Sequence, residues 1–135
     1  MTVGHAVVTL AAGVADAIVR HARAAAPREC CGLLIGSAAR IDEAAPTRNL
    51  DPHQARFQID PAEHIRLNRV LRGTGRAVVG VYHSHPATPA EPSISDVAEA
   101  HYAEFIYLIV SLLGTTPSLR AYRIVDGVAS PLLIG

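Results

Sequence analysis

Between Ala77 and Pro86 the chain reads Ala-Val-Val-Gly-Val-Tyr-His-Ser-His-Pro, an apolar, β-branched run that ends in two histidines one residue apart. Such a run is a strand with apolar neighbours on both faces, so it demands a sheet covered by other elements. Side chains alternate along a strand, which puts His83 and His85 on one face and Tyr82 on the other, toward the core. Polar side chains at the point where a strand leaves its sheet are free to converge without being sealed in the interior.

Helical patterns flank this strand. Leu10, Val14, Ile18, Ala22 and Ala25 recur at spacings of four and three, an amphipathic helix that Pro27 stops. Cys30-Cys31-Gly32-Leu33-Leu34-Ile35-Gly36 follows as a buried strand, and residues 37–50 read as one further strand plus a loop. Asp60, Pro61 and Glu63 occupy N-cap, first-turn and capping-box positions of a second helix. Its stripe is Leu67, Val70 and Leu71, and Gly73 ends it. A helix over about Ser95–Tyr102 comes next, then strands over Phe105–Leu113 and Leu119–Val125, with Asp126-Gly127 as a turn. Helices interleaved with apolar strands predict an α/β domain around a mixed sheet. At 135 residues, half of them hydrophobic, one domain spanning 1–135 is expected.

Charge excludes some functions. Formal net charge is zero, which gives no electrostatic basis for nucleic-acid or anionic-membrane binding. All 12 basic residues are arginine, so an internal lysine Schiff base is excluded. The adjacent Cys30 and Cys31 cannot staple distant elements, which fits a reducing cytoplasm. The opening segment through Pro27 lacks the basic start of a signal peptide, and Asp16 interrupts its apolar stretch.

After His85 come Pro86, Pro89 and Pro92, which restrict the turn and lower the entropy lost in returning a third ligand. That ligand is Asp96, in the first turn of the next helix. Two imidazoles and a carboxylate suit zinc and leave a fourth tetrahedral position for water. The same set suits iron in an octahedral facial triad, and a His-X-His pair by itself also fits two hydrogen-bonded histidines.

His83-Ser84-His85-Pro86, the seven residues 86–92, Ser93, and Asp96 three positions later together resemble the signature of the JAMM metalloproteases, also called MPN-plus or Mov34 domains. Glu29-Cys30-Cys31-Gly32-Leu33-Leu34-Ile35-Gly36 is similar to the family's segment bearing the catalytic glutamate, and the likeness runs on through Leu119–Gly127. The resemblance implies a compact α/β/α fold with a deaminase-like core. It implies zinc (Zn2+) on His83, His85 and Asp96, water polarised by Glu29, and an oxyanion stabilised by Ser93. Ser84 is expected to support the local backbone. No counterpart is seen of the long insertions with which some eukaryotic relatives grip ubiquitin chains, which argues against lysine-linked polyubiquitin.

The ending Ala121–Gly127 resembles small bacterial members that act on ubiquitin-like sulfur-carrier proteins and release cysteine from the carrier's C-terminus. The implied activity is zinc-dependent hydrolysis of a peptide or isopeptide bond on such a tail, with a homodimer as the implied assembly. Processing of an extended carrier precursor and a non-catalytic zinc-stabilised scaffold are the alternatives. The zinc-deaminase pairing of His-X-Glu with Pro-Cys-X-X-Cys is missing. Cys31 reads as buried packing, and His53, His64 and His101 as surface or outer groups.

Overall fold

The computed structural model describes residues 6–135; the first five residues of the opening segment lie outside it. Its elements are β1 (Val7–Leu10), α1 (Val14–Ala25), β2 (Cys31–Ser37), β3 (Arg40–Thr47), α2 (Pro61–Leu71), β4 (Ala77–His85), α3 (Ile94–Ala98), β5 (Ile106–Ser111), β6 (Ser118–Val125) and β7 (Val128–Ile134). The strand order is β1-β3-β2-β4-β5-β6-β7, and parallel pairing of β1 with β7 closes the sheet on itself. The other pairs are antiparallel except β1–β3 and β4–β5.

The period of two in the central strands decides which helix covers which face. Leu34, Tyr82, Ile106, Leu108 and Val110 share one core with Val14, Ile18 and Ala22 of α1. Leu33, Ile35, Tyr107 and Ile109 share a second core with Leu67 and Leu71 of α2. The result is the helix–sheet–helix layering expected. Tyr82 is fully buried on the α1 side, with its hydroxyl 2.7 Å from His21 Nδ1.

Several local expectations are corrected. Leu10 ends β1 rather than opening α1, because Gly13 at φ 89° breaks the backbone before Val14. Val70 is 61% exposed, so α2 is seated by Leu67 and Leu71 without it. Asp60 caps α2 by accepting the Ala62 N–H, but the Glu63 carboxylate pairs with Arg66 instead of completing a box. Helix α3 stops at Ala98, short of Tyr102. The Tyr107 hydroxyl takes the Tyr102 N–H and donates to its carbonyl, which diverts the backbone groups that another helical turn would use. Asp126 and Gly127 both have positive φ, a tight hairpin turn, and it leads into β7, for which no strand was expected.

One feature of this topology makes the site. Because β4 and β5 run parallel, the chain must cross from the end of one to the start of the other. Segment 86–105 makes that return over the end of β4 and carries α3 with it. The pair is close: a Cβ at Gly80 would fall 2.1 Å from the Ile106 carbonyl oxygen. Gly80→Ala is therefore expected to destabilise the fold by at least about 2 kcal/mol through overpacking. Thermal unfolding followed by circular dichroism checks this, and an unchanged melting temperature would show that the strands have room to part.

Candidate metal centre

The crossover brings the three candidate ligands together. His83 Nε2 lies 3.1 Å from His85 Nε2, and each lies 3.0 Å from Asp96 Oδ2. Asp96 is aimed by a reciprocal capping box. Its N–H donates to Ser93 Oγ at 3.0 Å, while its Oδ2 accepts the Ser93 N–H at 2.9 Å. His85 is oriented by its other nitrogen, 2.8 Å from the Pro89 carbonyl. A carbonyl only accepts, so Nδ1 carries a proton; Nε2 donates to Asp96 when the ring is charged and offers its lone pair to a cation when the ring is neutral.

Glu29 stands two residues before β2. That strand pairs antiparallel with β4, Cys31 opposite His83. Ser84 extends the ladder by one step, donating its N–H to the Cys30 carbonyl at 3.1 Å and accepting the Cys30 N–H on its hydroxyl at 2.8 Å. The backbone role expected of Ser84 is thus the one it has. One ligand atom from each of Glu29, His83, His85 and Asp96 lies within 4.8 Å of the other three. All but Asp96 are buried, Glu29 being 7% exposed.

Burial and proximity set the charges. Desolvation pushes the Glu29 carboxyl up to about 7, with Asp96 and Asp51 adding to the rise and His85 opposing it. Burial works against ionised Asp96, but hydrogen bonds from His83 and His85 win and hold it well below the ordinary carboxylate range. His83 is pulled down, mainly by desolvation. For His85 desolvation also pulls down, yet the bonds to Asp96 and Pro89 together raise it.

Among the described residues two buried polar atoms find no partner, Glu29 Oε1 and His83 Nδ1. A buried carboxylate oxygen without a donor is costly. Two imidazole nitrogens crowding one carboxylate oxygen, with a second carboxylate unpartnered beside them, fit a divalent cation in chemistry and number. The set suits zinc and is shared with non-haem iron.

The other candidates stand apart from this centre. Cys31 is buried against Thr47 and the Arg48 carbonyl, and burial pushes its thiol up to about 11, so it is packing and no nucleophile. His53 caps the Ala55 N–H on an exposed loop. His64 and His101 line a cavity of about 530 Å³ that opens beside His83 and Asp96, with Phe57, Ile59, Tyr102 and Phe105 among its walls. Sequence reasoning missed Phe57, whose ring stacks on His83 with centroids 4.2 Å apart and planes 18° from parallel. One of only two phenylalanines, set in a polar stretch, it carried the sole available signal. The Pro89 carbonyl carried none.

A mixed, helix-flanked sheet with a His-X-His/Asp cluster and a glutamate just ahead of the adjoining strand defines the JAB1/MPN type of domain. The chain belongs to the prokaryotic homologs of the JAB domain, whose family model matches residues 11–125. It is 35% identical to the CysO-cysteine peptidase of Mycobacterium tuberculosis over 124 residues, 90% of this chain and 85% of the relative. It is 36% identical to a desampylase of Haloferax volcanii over 111 residues, 76% of this chain and 79% of the relative. A solved structure from Desulfitobacterium hafniense superposes with a TM-score of 0.86 at 33% identity, covering 95% of this chain and 91% of that one. A JAB1/MPN domain protein from Archaeoglobus fulgidus shares the fold, with a TM-score of 0.64 at 22% identity over 98% of this chain and all of that one.

Proposed function

We propose that this chain is a zinc-dependent hydrolase of a peptide or isopeptide bond at the C-terminal tail of a ubiquitin-like sulfur-carrier protein, with cysteine as a leaving group. One observation carries the reading: a buried, unpartnered Glu29 carboxylate faces three converging ligands, His83, His85 and Asp96. The CysO-cysteine peptidase and the desampylase support the substrate class. The two free, buried cysteines support a reducing, cytoplasmic setting. Among the described residues no helix is long and apolar enough to cross a membrane.

When bound by His83, His85 and Asp96, zinc supplies a Lewis acid that acidifies water and polarises a carbonyl. The chain supplies the rest. Glu29, its affinity for a proton raised by burial, takes the proton of the attacking water at a carboxylate oxygen and returns it to the leaving amine. Ser93 Oγ accepts the Asp96 N–H and lies 3.1 Å from Ser95 Oγ; with Ser95 as the donor in that pair, the Ser93 proton meets the carbonyl oxygen as charge builds there. Capping and oxyanion stabilisation are thus compatible in one hydroxyl.

Ser93→Ala is expected to lower kcat about 100-fold, the loss typical of one oxyanion donor. Lost capping should cost about 1 kcal/mol in addition. The check is kcat in protein whose zinc content matches wild type, and an unchanged rate removes the oxyanion role. For the function itself, metal-loaded protein is incubated with carrier–cysteine conjugates and extended precursors, followed by intact-mass analysis. Loss of one cysteine residue is expected. Removal of a longer tail selects precursor processing, and no cleavage by folded, zinc-loaded protein sinks the hydrolase reading in favour of a scaffold.

A further inference from the structure

The loop between β3 and α2 is tied to the centre through one side-chain amide. Asn49 Nδ2 donates to the Glu29 carbonyl at 3.0 Å and to the Arg56 carbonyl at 2.9 Å. Its Oδ1 accepts the N–H groups of Asp51 and Gln58, both at 3.0 Å. Nitrogen meets only carbonyls and oxygen meets only N–H groups, so the amide has one orientation that satisfies all four bonds. Arg56 and Gln58 are the two neighbours of Phe57, the ring stacked on His83. The same amide thus grips the peptide unit of Glu29 and both sides of the residue pressed against a candidate ligand. The Glu29 N–H, for its part, donates to the Gln54 carbonyl at 3.0 Å, within the same loop.

We propose that Asn49 is a positioning residue for the reaction: it fixes the Glu29 backbone and the Phe57 ring relative to each other, and so aims the Glu29 carboxylate at the His83/His85/Asp96 cluster. The inference rests on Glu29 carrying the proton. Glu29 Oε1 has no hydrogen bond of its own to hold it, so its direction comes from the backbone beneath it. Among the described residues, the only ties to that backbone from outside β2 and β4 are the Asn49 amide and the Gln54 carbonyl. Arg28 adds an outer tie, its guanidinium donating to the Asp51 carbonyl at 2.6 Å. Misplacing a catalytic group by about 1 Å costs on the order of 100-fold in rate, so small slack in this loop suffices.

Asn49→Asp separates positioning from folding, because a carboxylate keeps both acceptor bonds and loses both donor bonds. The expected result is a kcat lower by about 10- to 100-fold, with KM within roughly threefold and zinc per chain unchanged. Independently of activity, amide hydrogen exchange at Glu29 should accelerate while Asp51 and Gln58 stay protected; a merely structural defect would speed all three. A kcat within about twofold of wild type, or unchanged Glu29 exchange, overturns the proposal. If Asn49→Asp does not fold, Arg28→Ala cuts the loop's tie at an exposed position. It should give a smaller loss of kcat with faster Glu29 exchange, and no change in either overturns the proposal. The outcome is separable from the function reading: an active Glu29→Gln sinks the proton-carrier role, whereas an inactive Glu29→Gln beside a fully active Asn49→Asp sinks only the positioning role.

Discussion

Glu29→Gln should abolish proton transfer while leaving the protein better folded in its metal-free form. The substitution keeps size and shape but supplies a carboxamide that cannot accept a proton near neutral pH. Losing a positioned general acid–base group costs about 100- to 10,000-fold in kcat. Zinc content should stay near wild type, because His83, His85 and Asp96 remain. The stability change has the opposite sign to the activity change. In the fold without metal, the Glu29 carboxyl is raised from 4.5 to about 7 by burial. A raised folded value means that the native state holds this proton more tightly than the unfolded chain does. The stabilising contribution of the protonated group is therefore present below the unfolded value and lost as pH rises from about 4.5 through about 7. At pH 8 the ionised group works against folding by at most about 3 to 4 kcal/mol, from about 1.4 kcal/mol per unit. Metal-free Glu29→Gln is thus expected to melt above metal-free wild type at pH 8, with the gap closing toward pH 5. Melts across that pH range, beside kcat on a cleaved conjugate, check both halves. Full activity removes Glu29 from the proton path, and a melting difference independent of pH removes the burial argument.

Asp96→Asn is expected to lose both metal and turnover. The carboxylate supplies the one negative charge among the three converging ligands, and an amide oxygen replaces it poorly toward a divalent cation. Disrupting an outer partner of a ligand costs about 10- to 100-fold in metal affinity, so removing a ligand's charge should exceed about 100-fold. Asparagine retains an oxygen for the Ser93 N–H, which keeps helix α3 capped and separates ligand loss from local unfolding. In the metal-free protein this variant should melt lower than wild type. Asp96 Oδ2 stands 3.0 Å from both His83 Nε2 and His85 Nε2, and hydrogen bonds to a charged group contribute about 1.5 to 3 kcal/mol each. The two substitutions thus move metal-free stability in opposite directions, Glu29→Gln up and Asp96→Asn down. That contrast follows from one carboxylate being unpartnered and the other held by two imidazoles. Elemental analysis after exhaustive dialysis, with thermal melts, tests it; full zinc occupancy in Asp96→Asn would remove Asp96 from the ligand set.

Much of this was legible along the chain because the relevant physics is local. Alternation in a strand put His83 and His85 on one side and Tyr82 on the other. Asp60-Pro61 marked the start of α2, and Asp126-Gly127 marked a turn. The spacing of Ser93 and Asp96 was read through the family resemblance, and the structure shows that it also closes a capping box. What the pattern misplaced lay where local preference met a longer-range partner. Helix α3 stops early because a tyrosine hydroxyl five residues beyond Tyr102 takes its backbone groups. Strands β1 and β7 close the sheet with partners far away in sequence, and β7 has too exposed an alternation to announce itself.

The residue types of the centre, and their resemblance to one family, came from sequence alone, since ligand chemistry is a property of side chains and their spacing. How Glu29 meets His83, His85 and Asp96 was decided only by tertiary structure. The parallel β4–β5 pair forces a crossover that lays Asp96 over the strand end, and the β2–β4 register sets Glu29 beside it. The stacking of Phe57 and the four bonds of Asn49 belong to the same category. A hydrogen-bonding amide carries no mark of its partner until the chain has closed around it.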